Sequence, residues 1–345
     1  MTSFESDYIC GAHPEVLRRL LETNLDPQPG YGEDAYCARA AEKLRLACNA
    51  PDADVFFLAG GTQTNAVVSA ALLQPWQGVV SAQSGHIHAH ESGALEKTGH
   101  KVLTLPGHRG KVDAGELRAL LADFYADENR EHMVFPGLLY VSHPTEWGTL
   151  YTRAELAELS GICRANGMKL FLDGARLGYG LQSPGADVTL PVLAELCDAF
   201  YVGGTKVGAL CGEAVIFPRH GMPPHFLNFA KKHGALLAKG RLLGVQFDAL
   251  FTDGLYERIG RHGVETAQRV VALLEQAGVE LYLKTPTNQQ FALLEDGMLL
   301  HLQKRLRCGF WSKPDETHTV VRFATSWSTT EEDLAALRDA LFDSL

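Results

Sequence analysis

A lysine and an aspartate each follow an apolar segment, and their side chains are the first candidates for chemistry. Lys206 comes after residues 200–205, FYVGGT, and Asp173 ends residues 171–173, FLD. A partly desolvated lysine has a lowered pKa and can form a Schiff base. A carboxylate at a strand end is costly to desolvate unless a cation or a protonated ring nitrogen pairs with it. The plainer alternatives are an exposed loop lysine, and an aspartate that caps a helix or pairs with Arg176.

A glycine pair stands between a predicted strand and a predicted helix, in residues 59–65, AGGTQTN. Backbone N–H groups at a helix N-terminus favour a bound phosphate, and glycine lets the backbone approach it closely. Gly61 and Thr62 are therefore candidate phosphate ligands. The alternative is an ordinary turn with Thr62 or Thr64 as the N-cap. The spacing matches neither G-x-x-x-x-G-K-[ST] nor G-x-G-x-x-G, which argues against a nucleoside triphosphate or dinucleotide loop.

Three histidines fall in one short segment, residues 84–91, SGHIHAHE. Imidazoles at this spacing suggest a metal site, in which His86, His88 and His90 would serve a metal-dependent hydrolase. Two other interpretations are that the ring of His86 stacks flat on an aromatic cofactor, and that the segment is a solvated polar turn. The sequence has no second dense cluster of metal ligands, so we predict no metal site.

An alternating series of strands and helices must position these side chains, because helical patterns and short apolar segments alternate from about residue 33 onward. The predicted strands are 55–59, 78–82, 101–105, 138–142, 169–172, 199–202 and 211–217, and the predicted helices are 33–49, 64–73, 113–124 and 152–165. Strand 211–217 is a candidate for an antiparallel orientation. This alternation indicates a mostly parallel sheet covered on both faces, in which ligands bind beyond the carboxyl ends of the strands.

The chain length of 345 residues predicts about two domains. The alternation ends near residue 245, and a long amphipathic segment, 263–277, then precedes a strand, a helix, a strand and a helix. We predict a large α/β domain over residues 1–245, which includes an N-terminal arm, and a small α+β domain over residues 246–345. The segment 328–331, STTE, matches a capping box and predicts the start of the last helix.

The composition limits the classes of function. The net charge of −10 argues against a nucleic acid or an anionic membrane as the partner, since both need concentrated positive charge. The seven cysteines show no C-x-x-C spacing, which favours reduced thiols over a disulfide framework or a zinc site. The sequence has no apolar segment of about 18 residues and no signal-peptide pattern, so we predict a cytoplasmic location.

Read together, the motifs resemble the threonine aldolase and β-eliminating lyase family of fold-type I pyridoxal 5′-phosphate (PLP) enzymes. Residues 4–7, FESD, look like the family's F-x-S-D, and residues 31–34, YGED, look like its Y-G-[ED]-D. The other matching segments are Gly61-Thr62, His86, residues 173–176 (DGAR), Thr205-Lys206, residues 239–241 (KGR) and residues 321–323 (VRF). Their joint order and spacing carry the resemblance, since no single one of them is diagnostic.

The resemblance implies an α/β, fold-type I PLP-dependent transferase-like fold with PLP as the cofactor. By resemblance, Lys206 forms the Schiff base, Asp173 contacts the pyridine nitrogen and His86 stacks on the ring. Arg241 would reach the phosphate of a neighbouring subunit, and Arg322 would bind the substrate carboxylate. The full cofactor-binding set is Lys206, Asp173, Gly61, Thr62, His86, Arg176, Thr205 and Arg241, and the substrate-binding set is Ser6, Arg176, Arg322 and Tyr31.

One segment departs from the family pattern. Family members commonly carry T-H-N, whose histidine contacts the β-hydroxyl of the substrate, whereas residues 143–148 here are HPTEWG. Glu146 occupies the position of that histidine, and His143 lies three residues earlier. The catalytic candidates for the β-hydroxyl base are therefore Glu146, His143 and His86.

The activity that the resemblance implies is retro-aldol cleavage of L-threonine and related β-hydroxy-α-amino acids to glycine and an aldehyde. The nearest alternative is a PLP-dependent β-eliminating lyase, which would use the same lysine, aspartate and phosphate turn. The remaining alternatives are the metal-dependent hydrolase and a non-catalytic binding protein on the same fold. The resemblance also implies a homodimer or homotetramer with shared active sites, because Arg241 and Tyr31 occupy family positions near subunit interfaces.

Overall fold

The computed structural model describes residues 1–343, which contain two β-sheets. The strands are β1 (Thr2–Phe4), β2 (Asp54–Leu58), β3 (Gln77–Ala82), β4 (Val102–Leu105), β5 (Phe135–Ser142), β6 (Lys169–Asp173), β7 (Ala199–Gly203), β8 (Glu213–Phe217), β9 (Glu280–Leu283), β10 (Gln289–Glu295), β11 (Leu306–Ser312) and β12 (His318–Ala324). The helices are α1 (Pro14–Glu22), α2 (Ala35–Ala47), α3 (Gly61–Leu72), α4 (His86–Ala89), α5 (Ala114–Ala126), α6 (Arg153–Ala165), α7 (Leu177–Leu181), α8 (Leu190–Leu196), α9 (Phe226–Lys232), α10 (Arg241–Leu250), α11 (Leu255–Gln276), α12 (Asp296–Leu302) and α13 (Glu331–Phe342).

The larger sheet has the strand order β2-β8-β7-β6-β5-β3-β4. Strand β8 is antiparallel to both of its neighbours, and the other six strands run in one direction. The predicted α/β class, the mostly parallel large sheet and the antiparallel orientation of β8 are confirmed. The carboxyl ends of β2, β5, β6 and β7 therefore meet at one edge, and the first residue of β8 lies at that same edge.

The core explains why the central strands are almost uniformly apolar. Along β6, Leu170 and Leu172 pack into one cluster of buried residues, and Phe171 packs into a second cluster. The same alternation holds in β7, where Phe200 joins the first cluster and Tyr201 the second. Because side chains alternate across a strand and helices cover both faces, each position needs an apolar side chain.

The smaller sheet has the strand order β1-β11-β12-β10-β9 and includes the first strand of the chain. Strand β1 is parallel to β11, with Thr2 opposite Leu306 and Phe4 opposite Cys308, and the other pairs are antiparallel. The hydropathy pattern gave no sign of β1, which is only three residues long. The domain boundary at residue 245 stays a prediction, and that residue lies inside helix α10.

The long helix of the C-terminal part begins earlier than the amphipathic pattern predicts. Helix α11 starts at Leu255, eight residues before Gly263. Helix α11 contains Gly260 and Gly263, although glycine normally weakens a helix. A Cβ on Gly260 would lie 2.1 Å from the Gly178 carbonyl oxygen, and one on Gly263 would lie 2.5 Å from the Tyr179 ring. The glycines are therefore required for close packing of α11 on α7.

The capping box of the last helix is shifted by two residues from its predicted position. Thr330, and not Ser328, is the N-cap of α13, and Asp333 completes the reciprocal pair of hydrogen bonds. Both residue pairs satisfy the sequence rule, so the rule alone cannot distinguish them. Glu331, the partner expected for Ser328, instead forms an ion pair with Arg269. Within residues 1–343, no helix combines the length and apolar character that spanning a bilayer requires.

Candidate active site

A cavity of about 320 Å3 opens at the carboxyl ends of the parallel strands. Its walls come from the loop after β2, the ends of β5, β6 and β7, and the start of β8. The lining residues used below are Gly60, Gly61, Thr62, His86, Glu146, Asp173, Arg176, Thr205, Lys206 and Glu213. A second cavity, of about 540 Å3, adjoins the first. Both cavities are lined by Tyr8, His86, Glu146, Arg176 and Lys206, and only the second is lined by His90, Phe310, Trp311 and Arg322.

The glycine pair forms an exposed helix start inside the first cavity. Gly60 is the N-cap of α3, and no side chain caps this end. Neither Thr62 nor Thr64 is the N-cap, so the alternative of an ordinary threonine-capped turn is wrong. A Cβ on Gly60 would meet nothing within 4 Å. The first N–H groups of a helix have no partner within it, so this end of α3 can bind an anion.

Asp173 is buried at the end of β6 and its carboxylate is held from three directions. Its Oδ1 accepts from the Ala175 N–H at 3.0 Å, and its Oδ2 accepts from Asn65 Nδ2 at 3.0 Å and from the Tyr140 hydroxyl at 2.6 Å. Burial alone would raise the pKa of Asp173, but the charge of His86 and the hydroxyl hydrogen bonds outweigh it and lower the pKa. Asp173 is therefore an anion that can pair with a cationic nitrogen in the cavity.

Lys206 lies in the turn after β7, half-buried and facing both cavities. Its Nζ lies 5.8 Å from the centre of the Tyr8 ring. Burial, followed by the positive charge of Arg176, lowers the pKa of Lys206. The amine is therefore more readily deprotonated than that of a solvated lysine, which is what a nucleophilic amine needs.

The aspartate that pairs with Arg176 comes from the N-terminal arm. Arg176 Nε and Nη2 donate to the two carboxylate oxygens of Asp7 at 2.7 and 3.0 Å. Burial opposes ionisation of Asp7, but Arg176 lowers its pKa to about 2. The alternative pairing of Arg176 with Asp173 is therefore wrong. This ion pair fixes the arm against the large sheet and places Tyr8 in both cavities.

Arg322 projects from β12 into the second cavity. Its Nη1 donates to Gln289 Oε1 and its Nη2 to the Glu5 carbonyl oxygen, both at 3.1 Å. Its Nε is buried without a hydrogen-bond partner, as is the hydroxyl of Ser6. Burial and the nearby charge of Arg176 lower the pKa of Arg322. This cationic side of the cavity suits a carboxylate.

A buried glutamate orients the ring of His86. His86 Nδ1 lies 2.7 Å from Glu91 Oε1, and the same oxygen accepts from Asn65 Nδ2 at 2.8 Å. Since Asn65 also donates to Asp173, the Glu91 and Asp173 carboxylates are joined through one amide. His88 is exposed on the short α4 segment, and His90, which follows α4, is exposed and lines the second cavity. No group of three or more potential metal ligands occurs among residues 1–343, so the metal-site interpretation is not supported.

Glu146 lies beside His86 at the boundary of the two cavities. Its Oε1 accepts from the backbone N–H of His86 at 3.0 Å and from the Ser142 hydroxyl at 2.6 Å. Its Oε2 is buried and has no hydrogen-bond partner. Burial is the main influence on the pKa of Glu146 and raises it. Glu146 is therefore a carboxyl group with one free oxygen and a raised affinity for a proton.

The comparisons with known proteins agree with this geometry. The sequence model of the β-eliminating lyase family matches residues 3–296. The chain belongs to this family. A Leishmania major threonine aldolase structure matches with a TM-score of 0.96 and 40% identity over 100% of this chain and 99% of that chain. A low specificity L-threonine aldolase of a Pseudomonas species is 29% identical over 95% of this chain and 93% of its own length.

The family and the fold together confirm two predictions about this lyase. The structure of a Thermus thermophilus aspartate aminotransferase double mutant matches with a TM-score of 0.69 at 15% identity, over 100% of this chain and 92% of that chain. At this identity the match is evidence for a shared fold and not for a shared activity. The fold-type I architecture is confirmed by these structural neighbours. The enzyme class, a lyase, is confirmed by the family.

Four residues implied by the resemblance line neither cavity of this lyase: Ser6, His143, Tyr31 and Arg241. Ser6 is buried in the N-terminal arm. His143 is buried against Tyr151, whose backbone N–H donates to its Nδ1 at 3.3 Å, and burial lowers the pKa of His143 to about 4. Tyr31 is 48% exposed and lines a separate cavity. Arg241 donates to the carbonyl oxygens of residues 23 and 26 and stacks on the ring of Tyr36.

Several polar residues of the lyase site have no counterpart in the sequence prediction: Asp7, Tyr8, Asn65, Glu91, Tyr140 and Glu213. One signal for Glu213 was present, because it is the single charged residue in the apolar segment 211–217. A charge at the start of a buried strand needs a local partner. Glu91 directly follows the histidine segment and was quoted only as part of a metal motif.

Proposed function

We propose that this lyase cleaves L-threonine and related β-hydroxy-α-amino acids to glycine and an aldehyde, with PLP as its cofactor. One observation carries the proposal: Lys206, Asp173 and the Gly60–Thr62 turn line a single cavity. An amine with a lowered pKa, a buried carboxylate and an anion-binding helix start are the three groups that PLP requires. The similarity to the Leishmania and Pseudomonas threonine aldolases supports the substrate class.

The chemistry of the cavity fits PLP at both of its polar ends. The open space at Gly60 and the uncapped start of α3 suit a phosphate, together with Gly61, Thr62 and Thr205. At the other end, the ionised Asp173 would keep the pyridine nitrogen protonated. When bound, PLP supplies the sink for the electron pair that is released at Cα.

Lys206 has two roles in this proposal. Its neutral amine forms the covalent link to the cofactor and gives way to the amino group of the substrate. The released amine then holds or transfers a proton beside Cα. His86, whose ring is oriented by Glu91, would stack on one face of the cofactor ring.

The substrate carboxylate would bind between the small sheet and the N-terminal arm. Arg322 and the Ser6 hydroxyl each have a buried polar atom without a partner. Arg176 uses two of its five N–H groups on Asp7 and would offer the others to cofactor or substrate. Holding the carboxylate and the amine together would fix how the substituents of Cα are oriented toward the cofactor.

Glu146 is the base that the geometry favours for the β-hydroxyl proton. Its Oε2 has no partner, and its raised pKa favours proton uptake. His86 lies beside it in both cavities and is the second candidate. His143 lines neither cavity, and we propose no direct role for it. General-base assistance of this kind contributes roughly 10²–10⁴-fold to the rate.

The positions of Arg241 and Tyr31 fit a homo-oligomer. Neither side chain lines the cavities that contain Lys206. We therefore propose that the two residues act on the site of a neighbouring subunit, with Arg241 toward its phosphate. The mass in solution of an Arg241→Ala variant, compared with wild type, separates a structural role at the interface from a role in cofactor binding.

Borohydride reduction followed by peptide mapping tests the cofactor assignment. We expect a reduced adduct on Lys206 and no adduct in a Lys206→Ala variant, with exposed Lys232→Ala as the matched control. An adduct on any other lysine, or none in wild type, would overturn it. Incubation with L-threonine, L-phenylserine, L-serine and L-cysteine then tests the reaction. Aldehyde and glycine are expected, whereas pyruvate would show β-elimination.

A further inference from the structure

Glu213 lies between the two turns that would hold the cofactor phosphate. It is buried at the start of β8. In the sheet it stands opposite Leu58 on one side and Gly203 on the other. Leu58 directly precedes the Ala59–Gly61 segment. Gly203 directly precedes Gly204, which leads into the turn of Thr205 and Lys206. Glu213 lines the same cavity as both turns.

The Glu213 carboxyl group is bonded to the turn that carries the lysine. Its Oε2 accepts from the Gly204 N–H at 3.2 Å, and its Oε1 lies 3.0 Å from Thr205 Oγ1. Thr205 Oγ1 also accepts from the Gly212 N–H at 3.1 Å. The threonine hydroxyl therefore already has one of its two lone pairs occupied.

The proton count on Thr205 gives two arrangements of these bonds. A hydroxyl has one proton to donate and two lone pairs. When Glu213 is ionised, the Thr205 proton must point at the carboxylate, away from the cavity. When Glu213 is neutral, its own proton can fill the second lone pair of Thr205 Oγ1. The Thr205 proton is then free to point into the cavity.

We propose that Glu213 controls the direction of the Thr205 hydroxyl and thereby makes cofactor phosphate binding depend on one proton. The neutral carboxyl group lets Thr205 donate to the phosphate, and the ionised carboxylate withdraws that donor and repels the anion. The inference rests on the proposed function, since it requires PLP in this cavity. It adds a positioning residue for phosphate that no motif of the sequence indicated.

The surroundings of Glu213 support a neutral carboxyl group. Burial raises its pKa to about 8, against the opposing effects of the Thr205 hydrogen bond and the charge of Lys206. The other titratable groups that face it are Asp173, Tyr201, Tyr256 and Cys211. The pKa of Asp173 is lowered, and the pKa values of the two tyrosines and the cysteine are raised. Because the pKa of Lys206 is lowered, Lys206 is the one group among these neighbours that is expected to titrate in the same pH range as Glu213.

The test compares the dissociation constants of PLP and pyridoxal between pH 7 and 9.5. Both ligands carry the same aldehyde, so titration of Lys206 cancels in the ratio of the two constants. The phosphate is doubly charged throughout, because its second pKa is near 6. We call the dissociation constant of pyridoxal divided by that of PLP the PLP advantage. In wild type this ratio should fall roughly tenfold to a hundredfold as the pH rises, which is the effect of one hydrogen bond to a charged group.

Glu213→Gln mimics the neutral acid. Its amide nitrogen can donate to Thr205 Oγ1 while its oxygen accepts from Gly204, so the PLP advantage should stay at its low-pH value at every pH. Thr205→Val removes the donor, so its PLP advantage should be lower than in wild type at pH 7. Adding Glu213→Gln to Thr205→Val should raise the PLP advantage at pH 9.5 by less than Glu213→Gln alone does, since the two residues act as a unit.

Three outcomes would overturn the inference: a constant ratio in wild type, an undiminished pH dependence in Glu213→Gln, or an equal effect of Glu213→Gln at pH 9.5 with and without the Thr205 hydroxyl. In each case PLP would still bind covalently to Lys206, and the proposed function would stand. Failure of wild type to bind PLP at any pH would instead overturn both. Thermal unfolding of each variant without ligand identifies any that does not fold.

Discussion

Asp173 and Arg322, on the two sides of the candidate active site, differ in how completely their charged groups are bonded within the chain. On the large-sheet side, both oxygens of the Asp173 carboxylate accept hydrogen bonds from fixed donors. On the small-sheet side, Arg322 Nε and the Ser6 hydroxyl are buried without partners, and Phe310 is 70% exposed. A group that is fully bonded is oriented in advance, whereas an unpartnered buried donor gains most when a ligand binds. The difference indicates a rigid cofactor side and a substrate side that is completed by its ligand.

The largest effect is expected from Asp173→Asn on the rigid side. The amide keeps the shape but loses the charge that would hold a cationic ring nitrogen, so turnover should fall by at least roughly a hundredfold. Steady-state kinetics at saturating cofactor measure this loss. Asp123→Asn, an exposed position on α5, is the control and should match wild type. A nearly normal rate in Asp173→Asn would contradict the assignment of this carboxylate.

Glu146→Gln, at the boundary between the two sides, should have the next largest effect. Loss of the base should lower kcat by roughly 10²-fold, the lower end of the contribution of a general base. The raised pKa of Glu146 adds a pH signature: the ionised form is the base, so the wild-type rate should rise with pH through a midpoint above the usual value for glutamate. This limb should be missing in Glu146→Gln. If it persists unchanged, another group is the base, and a His86→Phe variant should then be tested for its loss.

Arg322→Ala tests the substrate side directly. Because the contact with the carboxylate is shared by the ground state and the transition state, KM for the amino acid should rise roughly tenfold to a hundredfold while kcat changes less. Arg307→Ala, an exposed arginine on the neighbouring strand β11, should leave KM unchanged. An unaltered KM in Arg322→Ala would remove this residue from the carboxylate site.

The smallest effect should come from Glu91→Gln. The amide still reaches His86 and Asn65 but exchanges charge-assisted hydrogen bonds for neutral ones, so kcat/KM should fall by roughly tenfold or less. Glu96→Gln, on the surface beyond the histidine segment, is the matched control. A loss as large as that of Asp173→Asn would show that the rigid side extends through Asn65 to His86.

The sequence predicted the residues that follow strands better than it predicted their partners. Lys206, Asp173 and Gly61 stand at strand ends, and the rule for parallel sheets brings such positions together. The partners of Asp173 were not predictable in the same way. Tyr140 and Asn65 belong to a strand and a helix whose patterns are explained by packing alone, and only the folded chain shows that their polar atoms converge on Asp173.

Long-range pairs and glycines account for the remaining differences. Asp7 and Arg176 are 169 residues apart, and no local pattern relates them. Helix α11 begins eight residues before the predicted start at Gly263, and its Gly260 and Gly263 allow close contact with α7. Arg241 and Tyr31 were placed by resemblance alone, and their proposed positions depend on a neighbouring subunit that a single chain cannot supply.

The pairing of β1 with β11 has a consequence for the order in which the site matures during synthesis. Residues 2–4 leave the ribosome about 300 residues before their strand partner, residues 306–308. Until then the arm that carries Ser6, Asp7 and Tyr8 has no sheet to join, while the large sheet can already form around Asp173. Because domains fold as units during translation, the substrate side should be the last part of the enzyme to assemble. A nascent chain arrested before residue 306 should therefore bind cofactor and not yet discriminate between amino acids.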